Sequence, residues 1–215
     1  MTESKAKLNT GLLLIVSGPA GSGKTTVCNR LLEASPELQR VVTATTRSPR
    51  GNEKDGIDYH FFDSNDFEEK VSEGAFYEHA LVHGNQYGTL KSAVQNKLLS
   101  GINLLLNIDV QGAASFRETA GEDPLLRGHM NTVFLLPPDL NELERRLRGR
   151  GTDAEEEVLR RLQVAKEEIQ QAEYYDYIVP SADKEQDFER LCAIYRSEGM
   201  RVRPPSPIGG PSTSA

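Results

Sequence analysis

The sequence has few of the features that mark membrane proteins, secreted proteins or disulfide-stabilised domains. Its longest apolar run spans residues 12–16, whereas a membrane-spanning helix needs about 20 residues. Residues 1–7 are polar and lack the apolar segment of a secretory signal. The two cysteines, Cys28 and Cys192, lie far apart in predicted helices, and we interpret them as buried free thiols in a reducing compartment. The sequence therefore predicts a cytoplasmic protein.

Charge and composition argue against further classes. The 215 residues include 32 acidic and 25 basic side chains, so we expect no general affinity for nucleic acid. The four histidines show no metal-ligand spacing. With 37% hydrophobic residues the chain can bury one good core, and we expect one domain with small inserts rather than two domains.

The most informative stretch is a glycine-rich turn between a predicted strand at residues 12–16 and a predicted helix at residues 27–34. It matches the pattern G-x-x-x-x-G-K-[ST], in which backbone N–H groups and the following helix N-terminus surround a phosphate. The pattern predicts a nucleoside triphosphate site, where Lys24 reaches the β- and γ-phosphates and the Thr25 hydroxyl binds Mg²⁺. The predicted donor-binding residues in this turn are Gly18, Pro19, Ala20, Gly21, Ser22, Gly23, Lys24, Thr25 and Thr26.

Short apolar runs separated by helical patterns predict the fold class. Such runs are typical of parallel strands covered on both faces, so we predict an α/β protein of the P-loop NTPase type, with a three-layer α/β/α core and a parallel sheet. Helix starts are predicted at Asp139, Thr152 and Asp183, each followed three residues later by Glu or Gln. The apolar runs cover residues 12–16, 102–108, 132–136 and 177–179.

One region, residues 43–90, departs from this alternation. It holds many turn residues and two aromatic stretches, with one helix predicted from Ser64 to about Ser72. We interpret the region as a small strand-rich insert. The predicted division is a lead-in at 1–9, a domain at 10–200 with core segments 10–42, 91–143 and 163–200, the insert at 43–90, an arginine-rich segment at 144–162, and a disordered tail at 201–215.

Two arginines lie near the start of the insert. Arg47 and Arg50 are separated by Ser48-Pro49, and their forked donors can converge on one phosphate, to which Tyr59 can add a hydroxyl. Taken alone, the arginine pair is better interpreted as a solvated basic loop.

Six further segments indicate which molecule accepts the phosphate from the nucleoside triphosphate. In chain order they are Thr45-Thr-Arg-Ser-Pro-Arg50, Gly56-x-x-Tyr59, Phe76-x-Glu78-His-Ala80, Gly84-Asn-x-Tyr-Gly88, Ile108-Asp-x-Gln-Gly112 and Arg146-Leu-x-Gly-Arg-Gly151. Together with the phosphate loop, they make the chain resemble guanylate kinase over roughly residues 10–197. The resemblance implies transfer of the γ-phosphate of ATP to GMP, giving ADP and GDP, with Mg²⁺.

The resemblance also assigns acceptor residues. The clamp on the phosphate of GMP would be Arg47, Arg50, Tyr59 and Tyr87, and the remaining GMP-binding residues would be Thr43, Glu78, Gly88, Thr89 and Asn107. Guanine presents N1–H and N2–H₂ side by side, and one carboxylate accepts from both, whereas adenine would turn a lone pair towards it. A buried acid left unpaired by the wrong base discriminates by about 10⁴-fold. Without the resemblance, Glu78 would be interpreted as an exposed carboxylate on an edge strand.

The chain departs from the family at two of these positions. Thr43 replaces the usual serine and keeps the hydroxyl, while Asn107 replaces the first of two aspartates and so bears on base affinity. Asp109, the second aspartate, follows an apolar strand, where an acid organises Mg²⁺ through water. A simple strand-end cap is the alternative for Asp109. Near Pro180 the family's asparagine is missing, so the resemblance assigns no adenine contacts there.

By resemblance, residues 144–162 form a lid that closes over ATP with Arg146, Arg150 and Arg161. The other arginines of this region, Arg145, Arg148 and Arg160, are interpreted as a solvated charged face. No general base is required, because the attacking phosphate oxygen is mostly ionised near neutral pH and the difficulty is to align two polyanions. The predicted catalytic residues are Lys24, Arg47, Asp109, Arg150 and Arg161.

The predicted partners are the small molecules ATP and GMP, without nucleic acid, membrane or an obligatory protein partner. Two alternatives stay open. One is a catalytically silent guanylate-kinase-like module that binds a protein. The other is a P-loop kinase that acts on a different phosphorylated acceptor, such as a sugar bisphosphate.

Overall fold

The computed structural model describes residues 11–82, 84–149 and 154–201. The predicted lead-in at 1–9, the helix start at Thr152, Arg150 of the lid and the tail beyond Arg201 lie outside these residues. Within the described ranges, no helix is both long enough and apolar enough to cross a membrane.

Two β-sheets form the framework of the part of the chain that the structure describes, one of five strands and one of four. The strands are β1 (Leu13–Ser17), β2 (Leu38–Arg40), β3 (Ala44–Thr45), β4 (His60–Phe61), β5 (Phe76–Val82), β6 (Asn85–Leu90), β7 (Asn103–Asn107), β8 (Met130–Leu136) and β9 (Tyr177–Pro180). The larger sheet has the order β2-β7-β1-β8-β9 and is parallel throughout. The smaller sheet has the order β4-β3-β6-β5, in which β3 pairs with β4 in parallel and the other pairs are antiparallel.

Helices connect the strands. They are α1 (Lys24–Ala34), α2 (Ser64–Ser72), α3 (Lys91–Leu99), α4 (Val110–Glu122), α5 (Leu140–Arg148), α6 (Glu155–Gln170), which continues into a 3₁₀ turn, and α7 (Lys184–Met200). The helix starts predicted at Asp139 and Asp183 are confirmed: their carboxylates accept from N–H groups of the first turn at 2.7 and 2.9 Å. Each bond satisfies a backbone donor that has no partner inside its helix.

The larger sheet is buried on both faces. Leu13 and Ile15 of β1 pack with residues of α3 and α4, whereas Leu14 and Val16 pack with residues of α1 and α7. Successive side chains of a strand point to opposite faces, so a strand covered on both sides is a nearly continuous apolar run. The predicted α/β fold with helices on both sides of a parallel sheet is confirmed.

The four predicted strands are confirmed within two residues at each end, but β2 was not predicted. It lies at the edge of the larger sheet and has only three residues. Leu38 is buried, whereas Gln39 and Arg40 are exposed. So short a segment with one buried side chain carries no apolar run.

The smaller sheet and α2 form the strand-rich insert. Phe67 of α2 stacks on Phe76 of β5, with ring centroids 4.6 Å apart, inside a small separate core. The register of β5 against β6 shifts between Phe76 and Glu78, and Tyr77 packs on Phe116 of α4, again at 4.6 Å. This contact holds the insert against the main core and places Glu78 beside the first turn of α4. The division points proposed for the insert and lid remain predictions.

Candidate active site

The phosphate loop joins β1 to α1. Gly18 has a φ of +141°, and a Cβ at this residue would lie 2.5 Å from the carbonyl oxygen of Leu135. Only glycine fits there without strain. Gly23 precedes α1, and among the described residues no side chain caps this helix. The N–H groups of the first turn are therefore available to an anion, as the sequence pattern predicts.

Lys24 folds back over the loop. Its Nζ donates to the carbonyl oxygens of Gly18 and Pro19 at 2.6 and 3.0 Å. The neighbouring Thr25 is exposed, and its Oγ1 accepts from Nδ2 of Asn107 at 3.4 Å. These groups gather at the carboxyl ends of β1 and β7, the edge of an open parallel sheet where ligands bind.

A cleft of about 390 Å³ lies beside the phosphate loop, and we call it the loop cleft. Residues 21–23, 26 and 27 line one side, and the other side is lined by α5, the segment after β9 and the start of α7. Arg146 lies on the α5 side and donates from Nη1 to the carbonyl oxygen of Ser22 at 3.4 Å. Of the predicted ATP-binding residues, the cleft brings together Gly21, Ser22, Gly23, Thr26 and Arg146.

The described lid arginines are paired with glutamates. Arg145 and Arg146 both contact Glu142 at 2.7 Å, which lowers the pKa of that carboxyl to about 2. Arg161 donates to Glu157 at 2.7 Å. Arg145, Arg148 and Arg160 are exposed, which fits the solvated face predicted for them. Since Arg150 lies outside the described residues, its role stays a prediction.

A second cleft, of about 240 Å³, lies between the smaller sheet and the ends of β7 and α4, and we call it the insert cleft. An adjacent cleft of about 200 Å³ shares Thr43, Tyr59 and Asn107 with it and is also lined by Thr25. The insert cleft therefore borders the space next to the phosphate loop. Of the predicted GMP and metal residues, the insert cleft brings together Thr43, Tyr59, Glu78, Tyr87, Gly88, Asn107 and Asp109.

Glu78 is a buried acid in the insert cleft. Only 9% of its surface is exposed, and its Oε1 accepts from the hydroxyl of Thr89 at 2.6 Å. Burial raises the pKa of Glu78 to about 7; nearby Asp109 adds to the shift and the bond from Thr89 opposes it. The alternative of an exposed carboxylate on an edge strand is wrong, because β5 is an edge strand but Glu78 is buried in it.

Arg47 is held by several partners inside the insert. Its Nη2 donates to Oε1 of Glu53 at 3.0 Å, and its guanidinium lies 5.4 Å from the ring centre of Tyr59. The hydrogen bond to Glu53 raises the pKa of Arg47, and a bond with Tyr87 adds to the shift. The solvated-loop interpretation fits Arg50, which is exposed, but not Arg47, which is buried.

Asp109 caps α4. Its Oδ1 accepts from the backbone N–H of Gly112 at 2.7 Å, so the capping interpretation holds for one carboxylate oxygen. A cap and a metal-organising acid are compatible, because a carboxylate has two oxygens with several lone pairs. The role of Asp109 at a metal remains a prediction.

Three acids next to these residues were not predicted. Glu53 holds Arg47, as described above. Glu168 of α6 is half-buried, and its pKa is raised to about 7 by burial and by Asp109, against the opposing charge of Lys24. Asp187 of α7 is buried and lines the loop cleft. Acids in charged loops and helices are usually solvated, so the sequence carried no signal for any of the three.

Comparisons with known proteins point to one family. The family model for guanylate kinase matches residues 10–198. The guanylate kinase of Anaeromyxobacter dehalogenans is 46% identical over 192 residues, which cover 89% of this chain and 82% of the relative. That of Syntrophotalea carbinolica is 41% identical, with 89% and 88% covered. The crystal structure of guanylate kinase from Anaplasma phagocytophilum matches with a TM-score of 0.67 and 35% identity, covering 90% of this chain and 89% of that one.

Proposed function

Since the chain belongs to the guanylate kinase family and transfers the γ-phosphate of ATP to GMP, we propose that the loop cleft binds ATP and the insert cleft binds GMP. The observation that carries this proposal is the position of Glu78. It is a buried acid in a cleft that shares Asn107 with the space lined by Thr25. A group suited to guanine therefore lies one cleft away from the phosphate loop.

Glu78 would read the base of GMP. Its carboxylate would accept from guanine N1–H and N2–H₂, while the Thr89 hydroxyl, 2.6 Å from Oε1, fixes its orientation. Thr43 lines the same cleft and would donate its hydroxyl to O6. Guanine would thereby supply partners to an acid whose burial is otherwise unfavourable.

Arg47, Arg50, Tyr59 and Tyr87 would bind the phosphate of GMP. Arg47 is already oriented by its contacts in the insert, so little side-chain entropy would be lost when the phosphate binds. The phosphate would share Arg47 with Glu53 or displace that carboxylate. Arg50 is exposed and would provide a second cation. Its backbone N–H donates to Glu53 at 2.7 Å, and this bond orders the loop that carries both arginines.

The ends of β1 and β7 would also suit Mg²⁺ bound together with ATP. Mg²⁺ prefers oxygen ligands, keeps several waters and takes few protein groups beside substrate phosphates. Thr25 offers an exposed hydroxyl, and Asp109 offers a carboxylate that would act through water. When bound, the ion would neutralise charge on the phosphates.

Transfer would depend on alignment and positive charge. The phosphate of GMP is mostly ionised near neutral pH, because its second pKa is about 6, so no side chain needs to remove a proton. Lys24 would leave the loop carbonyls for the β- and γ-phosphates, and Arg146, Arg150 and Arg161 would add charge from the lid. Closure of lid and insert would exclude water and strengthen these interactions.

The binding-module alternative would require loss of the phosphate-binding residues, and this chain retains Lys24, Thr25 and Arg47. A different phosphorylated acceptor would leave the buried Glu78 without a partner. We expect the enzyme to act in the cytoplasm on small-molecule substrates, without an obligatory protein partner.

A panel of acceptors tests the proposal. ADP formation from ATP is measured with GMP, AMP, CMP, UMP or a sugar phosphate as acceptor. GMP should be preferred over AMP by at least about 10³-fold in kcat/KM. Turnover without preference for GMP would contradict the role of Glu78, and no turnover with any acceptor would favour the binding module.

A further inference from the structure

A buried acid at the start of α7 faces the loop cleft. Asp187 is 6% exposed, and both of its carboxylate oxygens have partners. Oδ2 accepts from the Ser181 hydroxyl at 2.7 Å, and Oδ1 accepts from the backbone N–H of Ala182 at 2.8 Å. Ser181, which is 3% exposed, and Ala182 form the segment that follows β9, so Asp187 fixes the conformation of this segment.

Arg146 reaches the same segment from α5. Its Nη1 donates to Ser181 Oγ at 3.3 Å and to the Ser22 carbonyl at 3.4 Å, and its Nη2 donates to the Ala182 carbonyl at 3.3 Å. Nε is bound to Glu142 at 2.7 Å. The guanidinium therefore bridges the phosphate loop and the segment after β9 through three long hydrogen bonds, whose strength depends on how the acceptors are oriented.

The direction of the hydrogen bonds through Ser181 is fixed by chemistry. An ionised carboxylate only accepts, so the single hydroxyl proton of Ser181 must point to Asp187. A lone pair of Ser181 Oγ then faces Arg146, which only donates. The three groups form a chain in which Arg146 donates to Ser181 and Ser181 donates to Asp187.

We propose that Asp187 is a positioning residue for the donor nucleotide: through Ser181 it holds the guanidinium of Arg146 at the edge of the phosphate loop. This inference rests on the proposed assignment of the loop cleft to ATP. It adds a residue outside the phosphate loop that lies 41 positions from Arg146 in the chain, on a different helix.

The test is Asp187→Asn, which keeps the size of the side chain. The new amide can still accept from Ala182 through its oxygen, but its NH₂ group would donate to Ser181 Oγ. The hydroxyl proton would then turn towards Arg146 and repel it. We expect the Kd of ATP with Mg²⁺, measured calorimetrically without GMP, to rise about tenfold, and the Kd of GMP to change less than about twofold.

Two variants complete the test. Glu189→Gln removes the same charge from an exposed position of α7 and should leave both constants unchanged. Ser181→Ala removes the hydrogen-bonded link but leaves the carboxylate of Asp187, and it should also weaken ATP binding. This variant replaces Asp187→Asn if the latter does not fold.

A double-mutant cycle separates positioning from a general effect on the fold. If Asp187 acts through Arg146, Asp187→Asn should have no further effect on ATP binding in an Arg146→Ala background. The proposal is overturned if the tenfold loss persists in that background, if GMP binding is lost to the same extent, or if neither variant changes ATP binding. The acceptor panel with the unaltered protein tests the proposed function separately.

Discussion

The Thr89 hydroxyl lies 2.6 Å from Oε1 of Glu78, and the two residues are paired directly across β5 and β6. Both are buried, so the carboxylate is held in one orientation in the wall of the insert cleft. Orientation of this kind, fixed before a ligand binds, reduces the entropy lost on binding. In the proposed GMP site, this pair would favour a base that donates two parallel hydrogen bonds.

Replacement of Glu78 by Gln should raise the KM of GMP far more than the KM of ATP. The amide retains one acceptor but turns an NH₂ group towards the donors of guanine, so we expect the KM of GMP to rise about 100-fold and that of ATP to change less than about twofold. Steady-state kinetics with each substrate varied in turn measures this. Glu73→Gln, at the exposed end of α2, is the control for loss of one charge. An equal loss for both substrates would show that Glu78 is structural.

GMP binding should depend on pH near neutrality. Burial raises the pKa of Glu78 to about 7, so this carboxyl is about half protonated there before GMP binds. Because the proposed hydrogen bonds to guanine need the ionised form of Glu78, we expect the affinity for guanosine, which lacks a titrating phosphate, to rise about tenfold from pH 6 to pH 8, with release of a proton. Calorimetry in buffers of different ionisation enthalpy measures that proton. Glu78→Gln should abolish the effect.

The same pKa shift has a consequence for stability. The pKa of Glu78 is higher in the folded protein than its ordinary value of 4.5, so between pH 4.5 and about 7 the folded state binds more protons than the unfolded state. The contribution of Glu78 to the free energy of unfolding should therefore fall as the pH rises through this window and level off above it. Denaturant unfolding at pH 5 and pH 8 measures how the free energy of unfolding changes with pH, and the change is compared between the unaltered protein and Glu78→Gln.

The fold and the phosphate loop could be predicted because their signals are local. Strand β1 is apolar from Leu13 to Val16 since both of its faces are covered, and the glycine-rich turn follows its last residue, Ser17. Asp139 and Asp183 cap helices whose N–H groups lie within three residues. In each case the residues that make the signal are neighbours in the chain.

Contacts between distant residues could not be predicted from spacing. Arg146 and Ser22 are separated by 124 positions, and nothing near Asp187 in the sequence indicates that it faces the loop cleft. Glu168 follows another glutamate on a charged helix, where a solvated side chain is the usual outcome. The resemblance supplied most residues of the insert cleft and also Thr89, which holds Glu78, but not Glu53, which holds Arg47.

Asn107→Asp should leave transfer unchanged or improve it. In the present structure the amide donates to the Thr25 hydroxyl across 3.4 Å. A carboxylate would instead accept from that hydroxyl, which would turn a lone pair of Thr25 outward and add negative charge near the proposed ion. We therefore expect half-maximal rate at a severalfold lower Mg²⁺ concentration.

The check is a Mg²⁺ titration of the transfer rate, together with the Kd of GMP in the absence of the metal. Asn96→Asp, on the exposed side of α3, adds the same charge away from the clefts. If Asn107→Asp caused a large loss of activity, the amide itself would have a role in positioning a substrate.

Gly18→Ala should disrupt the phosphate loop and reduce stability. Gly18 combines a φ of +141° with a carbonyl oxygen only 2.5 Å from where a Cβ would lie, so the loop must move away from β8 or the strand must shift. We expect a loss of about 2–4 kcal/mol in the free energy of unfolding and at least tenfold weaker ATP binding.

Gly121→Ala is the matched control, since this glycine lies in α4 with open space around its Cβ position. That change should stabilise the protein by about 0.5–1 kcal/mol, because alanine is the better helix former. Similar unfolding midpoints for the two variants would mean that the loop can adopt a second conformation, and then the predicted phosphate geometry would not depend on glycine at position 18.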